Sequence, residues 1–314
     1  NGGNQLNIAV IGVGGVGGYF GGKMARANEH STENKIFFVA RGKHFQEIAR
    51  NGLLLDTDKG EYICKPWVIT DDIGSLPILD AVLVCVKGYD LSEVTDSLKN
   101  KVNQETIILP LLNGVDIYQR IKTKLNEATV LPSCVYVGTH IERPGKVTQR
   151  GGACKIHFGD DPEKKGIGDR FFRILEESGI EYNYTHDPYA EIWSKYIFIA
   201  AYGLVTANYN KTLGEILENQ DLSNEVRSIM AEIYNLAKAQ SVALPKSIVE
   251  ESYEKGRKFP YETKTSFQRD YEITGKKDER DLFGGTILRM GEEYKVDIKQ
   301  TKHIYESLDM KKVI

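Results

Sequence analysis

At 314 residues the chain has the length of about two domains, each with room for a substantial core. Its 41% apolar and 27% charged content and net charge of -3 describe an ordinary soluble globular protein, without the basic excess that nucleic-acid binding requires. No apolar run reaches the roughly 18 residues of a membrane span, and no basic-then-apolar leader opens the chain, so neither a span nor a signal peptide is expected and the location reads as cytoplasmic.

The first element is a short buried strand over Leu6–Ile11, which runs into the stretch IAVIGVGGVGGYFGG at Ile8–Gly22. Gly12, Gly14 and Gly17 fit the spacing G-x-G-x-x-G, with Val13, Gly15 and Val16 between them. In a strand-turn-helix context the first glycine permits the tight turn, the second lets a pyrophosphate approach the backbone, and the third lets helix and strand pack closely. The helix that follows presents Tyr19, Phe20, Met24 and Ala25 as an apolar face. Its free N–H groups and positive dipole end would receive the phosphates of a dinucleotide.

Lys35–Ala40 (KIFFVA) reads as a second buried strand ending at Arg41. At the tip of that strand an Asp or Glu would hold the ribose hydroxyl of NAD. The sequence offers Arg41-Gly42-Lys43-His44 instead, a basic cluster suited to a 2′-phosphate, and therefore to NADP(H). Leu53–Asp56 and Glu61–Cys64 bracket a glycine turn and read as a hairpin. Asp80–Lys87 (DAVLVCVK) has the near-continuous Val and Leu content of a parallel strand covered on both faces, and it delivers Lys87 to its carboxyl end. Thr106–Leu109 repeats the pattern and leads to Asn113-Gly114 at the opening of another helix, where Asn113 is either a cap or a ligand contact.

Thr129–Gly159 reads as an antiparallel extension turning at Arg143-Pro144-Gly145, followed by a helix over Asp169–Ser178 and a strand over Glu181–Tyr184. Strand-helix alternation stops at Tyr184–Pro188, which sets the expected domains at 1–186 and 187–314. Beyond that point the pattern is helical: Pro188–Asn208, apolar on most sides and hence central, then Asp221–Gln240, Lys246–Gly256, Glu279–Glu293 and Lys299–Lys311. The fold class is α/β, a Rossmann-type doubly wound sheet followed by an all-helical domain, with the chemistry expected in the cleft between them. Cys64, Cys85, Cys134 and Cys154 are widely spaced and read as reduced thiols; no histidine spacing suggests a metal.

Three residues of the helical half can carry chemistry, each beside a plainer role. Lys195 shares a helix face with Phe198, Ile199 and Tyr202, neighbours that disfavour a charged ammonium and suit a general acid, while Glu191 at i−4 would make it an ordinary ion pair. Glu279 could simply complement a helix dipole, and Ser266 could be an N-cap.

Over essentially its full length the chain resembles the 2-dehydropantoate 2-reductase (ketopantoate reductase) family. The resemblance lies in IAVIGVGGVGGYFGG, FVARGKH, DAVLVCVK, LLNG, RPGKV, EIWSKY, TSFQRD and ERDLFGG, in that order. It implies NADPH-dependent reduction of 2-dehydropantoate to (R)-pantoate, a step toward pantothenate and coenzyme A. By resemblance Lys195 matches the catalytic lysine, Glu279 the carboxylate that positions lysine and substrate, Asn113 the asparagine shared by cofactor and substrate, and Ser266 the serine that binds the substrate carboxylate. Arg41 and Lys87 match the basic residues on the cofactor side. The sequence departs from the family pattern at Ile199, Gly203 and Gly284, where family members commonly carry asparagine, so the resemblance leaves the identity of the keto acid open. Two other readings stand beside it: a related two-domain dehydrogenase acting on another 2-oxo or 3-hydroxy acid, and a non-catalytic NADP-sensing regulator. The expected partner is a small 2-keto acid, and the helical half is where a homodimer would form.

Overall fold

The computed structural model describes residues 5–164 and 166–313. The chain divides into two compact units, Asn1–Pro188 and Tyr189–Ile314.

The strands of the first unit are β1 (Leu6–Ile11), β2 (Asn34–Val39), β3 (Leu53–Thr57), β4 (Gly60–Cys64), β5 (Val68–Thr70), β6 (Ala81–Val84), β7 (Ile107–Pro110), β8 (Thr129–Val130), β9 (Ser133–Tyr136), β10 (Thr139–Arg143), β11 (Lys146–Gln149), β12 (Lys155–Phe158) and β13 (Glu181–Tyr184). Its helices are α1 (Gly15–Asn28), α2 (Gly42–Asn51), α3 (Leu91–Leu98), α4 (Ile117–Lys122) and α5 (Asp169–Glu177). Six strands form one sheet in the order β5-β2-β1-β6-β7-β8, and every neighbouring pair in it is parallel. The chain starts at the centre, winds outward through β2 and β5, and returns to build the other half from β6. The order therefore reverses between β1 and β6, the crevice at which open α/β sheets bind ligands. Ile8, Val10, Val82, Leu83, Ile108 and Leu109 are fully buried, as strands covered on both faces demand.

A second sheet, β10-β11-β3-β4, lies on the other side of α1. A Cβ on Gly21 would press on Val10 and Phe38 of the parallel sheet, whereas a Cβ on Gly18 or Gly22 would press on Val147 or Leu55 of the second sheet. Helix α1 is thus sandwiched, and its glycines past Gly17 serve this packing rather than ligand binding. A third sheet, β13-β12-β9, completes the unit around Phe158, whose ring packs against Phe171, Phe172, Tyr182 and Tyr184.

The expectation of one antiparallel extension over Thr129–Gly159 is corrected in three places. β8 joins the main sheet in parallel with β7, β11 runs parallel to β3, and β12 runs parallel to β13; only β10/β11 and β9/β12 are antiparallel. Pairings between strands so far apart in sequence leave no local signal. The hairpin β3/β4 forms as read.

The second unit is helical: α6 (Tyr189–Tyr209), α7 (Leu213–Glu218), α8 (Gln220–Ala239), α9 (Ile248–Lys255), α10 (Ser266–Tyr271), α11 (Thr286–Tyr294) and α12 (Lys299–Val313). Helix α6 is its axis, with Trp193, Tyr196, Ile197, Ala200, Tyr202, Leu204 and Val205 all buried, and α8, α9, α10 and α12 pack around it. No helix among the described residues is long and apolar enough to cross a membrane.

Candidate functional site

The glycine loop has the geometry its spacing requires. Gly12 sits at φ +88°, a conformation that favours glycine, and a Cβ there would lie 2.8 Å from the Cys85 carbonyl oxygen at the end of β6. At Gly17 a Cβ would fall on the carbonyl of Gly12, so only glycine lets α1 approach its own strand. Gly14 is different: nothing stands within 4 Å of where its Cβ would be. Gly14 is also the N-cap of α1 and supplies no capping side chain. A ligand can therefore approach the backbone at Gly14, at the N-terminus of a 14-residue helix beside the β1/β6 crevice, which fits the pyrophosphate of a dinucleotide.

The neighbouring strands add polar groups in the same row. Arg41 follows β2, Lys87 follows β6 and Asn113 follows β7, so all three stand at the carboxyl edge of adjacent parallel strands flanking the loop after β1. Arg41 is the N-cap of α2, and its guanidinium is 72% exposed. Its Nη2 donates to Asp90 Oδ2 at 2.8 Å, leaving most of the fork directed to solvent. Lys87 is exposed and Asn113 half-buried. Asp116, not Asn113, stands at the N-cap position of α4, with its carboxylate on Arg120 rather than on a backbone N–H of the first turn, and the helix begins at Ile117.

His44 does not join Arg41 as a phosphate group. Its Nδ1 accepts from the Gly145 N–H at 2.9 Å, which places the ring proton on Nε2, and that nitrogen donates to the Val13 carbonyl at 2.5 Å. Burial lowers its pKa, opposed by the bond to Val13, so the ring is a neutral pin between the glycine loop and the β10/β11 turn. The role was invisible in sequence, because Gly145 lies 101 residues from it.

In the helical unit, Lys195 is a half-buried residue of α6. The next residue, Tyr196, is buried and its hydroxyl donates to the carbonyls of Leu282 at 2.7 Å and Phe283 at 3.2 Å. This ties α6 to the π-helical turn Asp281–Gly285, just after Glu279, which is itself only 8% exposed. One face further along α6, Gly203 meets the ring of Phe267, the residue after Ser266, and Phe267 packs on Phe283. Lys195, Glu279 and Ser266 therefore lie on three elements that meet within this unit. Ser266 is not a cap: Thr265 is, and it forms a reciprocal pair with Gln268 through both backbone N–H groups. Where the family pattern places asparagine, Ile199 is half-buried, Phe267 covers Gly203, and the ring of Tyr305 closes off Gly284, a Cβ there lying 2.4 Å from it.

Comparison with known proteins covers both units. The family model for ketopantoate reductase PanE/ApbA matches residues 8–163, and that for its C-terminal part matches residues 187–312. An uncharacterized oxidoreductase, YkpB of Bacillus subtilis, is 26% identical over 97% of this chain and 98% of its own. The crystal structure of 2-dehydropantoate 2-reductase from Porphyromonas gingivalis superposes with a TM-score of 0.81 at 28% identity, covering 97% of this chain and 99% of that one. A D-mandelate dehydrogenase in a ternary structure with NADH and anilino(oxo)acetate shares the fold, with a TM-score of 0.80 at 19% identity over 98% of each chain. The chain belongs to the ketopantoate reductase PanE/ApbA family, whose members are nicotinamide-dependent oxidoreductases acting on CH–OH groups.

Proposed function

We propose that the protein reduces 2-dehydropantoate to (R)-pantoate with NADPH, using Lys195 as general acid. The observation that carries this reading is the row Arg41, glycine loop, Lys87, Asn113 along adjacent strand ends, in a chain whose helical unit keeps Lys195, Glu279 and Ser266 on adjoining elements. A bound nicotinamide would supply the hydride to the keto carbon. Lys195 gives its ammonium proton to the developing alkoxide, Asn113 donates to the same oxygen, Ser266 holds the substrate carboxylate and Glu279 positions the lysine. NADPH oxidation followed at 2-dehydropantoate concentrations up to saturation tests the substrate; a folded protein with no turnover above background overturns it.

The preference for NADPH rests on Arg41 at the tip of β2, where the exposed guanidinium can grip a 2′-phosphate. Arg41→Ala is expected to weaken NADPH binding about 10- to 100-fold while changing NADH binding less than about threefold, since a charge-assisted hydrogen bond contributes about 1.5–3 kcal/mol. Equal losses for both cofactors, measured by quenching of protein fluorescence, would remove the 2′-phosphate role.

A second reading keeps the chemistry and changes the acid. Phe267 beside Gly203, Tyr305 over Gly284 and Ile199 in place of three asparagines favour a 2-oxo acid with an apolar substituent rather than a hydroxylated one. A screen of 2-oxo acids decides between the two, and turnover with any of them excludes the non-catalytic sensor.

A further inference from the structure

Asp90 stands beyond β6, at the junction of the short turn Gly88–Asp90 and α3. It holds the N-cap position of α3, where an aspartate ordinarily accepts from a backbone N–H of the first turn. Its carboxylate makes no such bond. It turns instead to Arg41, accepting from Nη2 at 2.8 Å, with its side chain only 12% exposed.

Strand order sets what this bond spans. β2 and β6 lie on either side of β1, so the segments that follow them are separated by two strand spacings, about 10 Å. The ion pair therefore joins the two segments that flank the glycine loop, one of them at the tip of β2, where the adenosine ribose of a dinucleotide lies.

The backbone of Arg41 is held without this bond. The Ala40 N–H donates to the Thr70 carbonyl at 3.1 Å, and the Arg41 carbonyl accepts from the Phe45 N–H at 3.2 Å. The side chain is not so held: its guanidinium is exposed, and among the described residues Asp90 is its one polar partner. An arginine free in solvent loses as much rotamer entropy on gripping a phosphate as any side chain does, whereas one already fixed by a carboxylate has lost it beforehand. The planar fork can serve two anions at once, since the bond to Asp90 takes Nη2 and leaves donors on the other nitrogens. Asp90 also favours keeping that bond when a phosphate arrives, because a nearly buried carboxylate deserted by its guanidinium would be a charge without a partner.

We propose that Asp90 is a positioning residue for cofactor selectivity: it holds the Arg41 guanidinium from the far side of the glycine loop, so that the remaining N–H donors meet the 2′-phosphate of NADPH in a preset orientation. This rests on the 2′-phosphate role of Arg41 and adds a second residue, on another strand end, through which that role is set.

The readout is the ratio of the NADH to the NADPH dissociation constant, from fluorescence titrations of the full chain with each cofactor. Asp90→Ala should lower the ratio at least about fivefold through NADPH, with NADH affinity changed less than about twofold. Asp90→Asn, which keeps an acceptor without the charge, should lower it about two- to threefold and carries the test if the alanine variant does not fold. In an Arg41→Ala background neither substitution should move the ratio, because Asp90 acts only through the guanidinium. A ratio that rises in either Asp90 variant would show the carboxylate competing with the 2′-phosphate and overturn the proposal. An unchanged ratio overturns it too, as does a fall that persists without Arg41, which would make Asp90 merely structural. If Arg41→Ala alone leaves the ratio unchanged, the 2′-phosphate role itself has failed and the proposal falls with it; that single variant separates this failure from a failure of Asp90.

Discussion

Lys195→Ala is expected to lower kcat by about 10²- to 10⁴-fold, the usual contribution of a positioned general acid, while NADPH affinity changes by less than about twofold. The separation of the two effects follows from the fold. Lys195 belongs to α6 in the second unit, whereas every group proposed to bind the dinucleotide lies on the strand ends of the first. Lys195→Arg should not rescue the rate, because a guanidinium holds its proton too tightly to give it to an alkoxide. A small residue there also leaves Tyr196 free to keep its bonds to Leu282 and Phe283, so the variant should remain folded. The measurement is single-turnover NADPH oxidation beside a fluorescence titration of the cofactor. An unchanged rate removes Lys195 from the mechanism; a rate and an affinity that fall together make it a binding residue instead.

What sequence could tell about this fold depended on how local each cause was. The strands β1, β2 and β6 are continuous apolar runs because parallel strands are covered on both faces, and such runs are visible in a window of six residues. The central position of α6 was equally legible, from apolar residues on all its sides. The spacing of Gly12, Gly14 and Gly17 shows a phosphate loop, but Gly18 and Gly22 answer to a second sheet whose strands come from about 30 to 130 residues away and leave no trace beside them. The short helices α7 and α10, six residues each, are under two full turns and leave no periodic pattern. A signal did exist, since Thr212 with Glu215 and Thr265 with Gln268 are capping boxes written in the sequence. For the candidate site, the order of Arg41, the glycine loop, Lys87 and Asn113 along the sheet follows from strand order and could be anticipated. The Arg41–Asp90 ion pair, the neutral His44 and the tyrosine over Gly284 could not, because each joins segments that only the tertiary fold brings together.

Asp161→Asn is expected to destabilise the first unit by about 3–5 kcal/mol, the cost of stranding a buried charge. Asp161 is fully buried on its side chain and accepts four hydrogen bonds: from Lys122 Nζ at 2.8 Å, the Val130 N–H at 2.9 Å, the Tyr118 hydroxyl at 2.7 Å and the Glu163 N–H at 2.9 Å. The carboxylate thereby joins α4, β8 and the loop after β12. Asparagine keeps the volume but leaves Lys122, whose side chain is 7% exposed, only the exposed Glu163 carboxylate at 3.9 Å as counter-charge. Replacing both partners, as Lys122→Met/Asp161→Leu, should recover much of the loss, because an apolar pair of matching volume pays no desolvation of charge. The pH dependence has a fixed sign. Burial alone would raise the Asp161 pKa, but the bonds from Lys122, Val130, Glu163 and Tyr118 outweigh it and hold the carboxyl below its ordinary value. The unfolded chain then binds a proton more readily than the folded one, so this stabilisation is complete above the unfolded pKa of about 4 and is lost as pH falls through the folded value. Urea unfolding of parent and Asp161→Asn at pH 7 and pH 3 should show the gap between them narrowing in acid. A gap below about 1 kcal/mol at neutral pH, within the range of an ordinary surface pair, or one that widens in acid, would show that the Lys122–Asp161 pair is not what secures this end of the sheet.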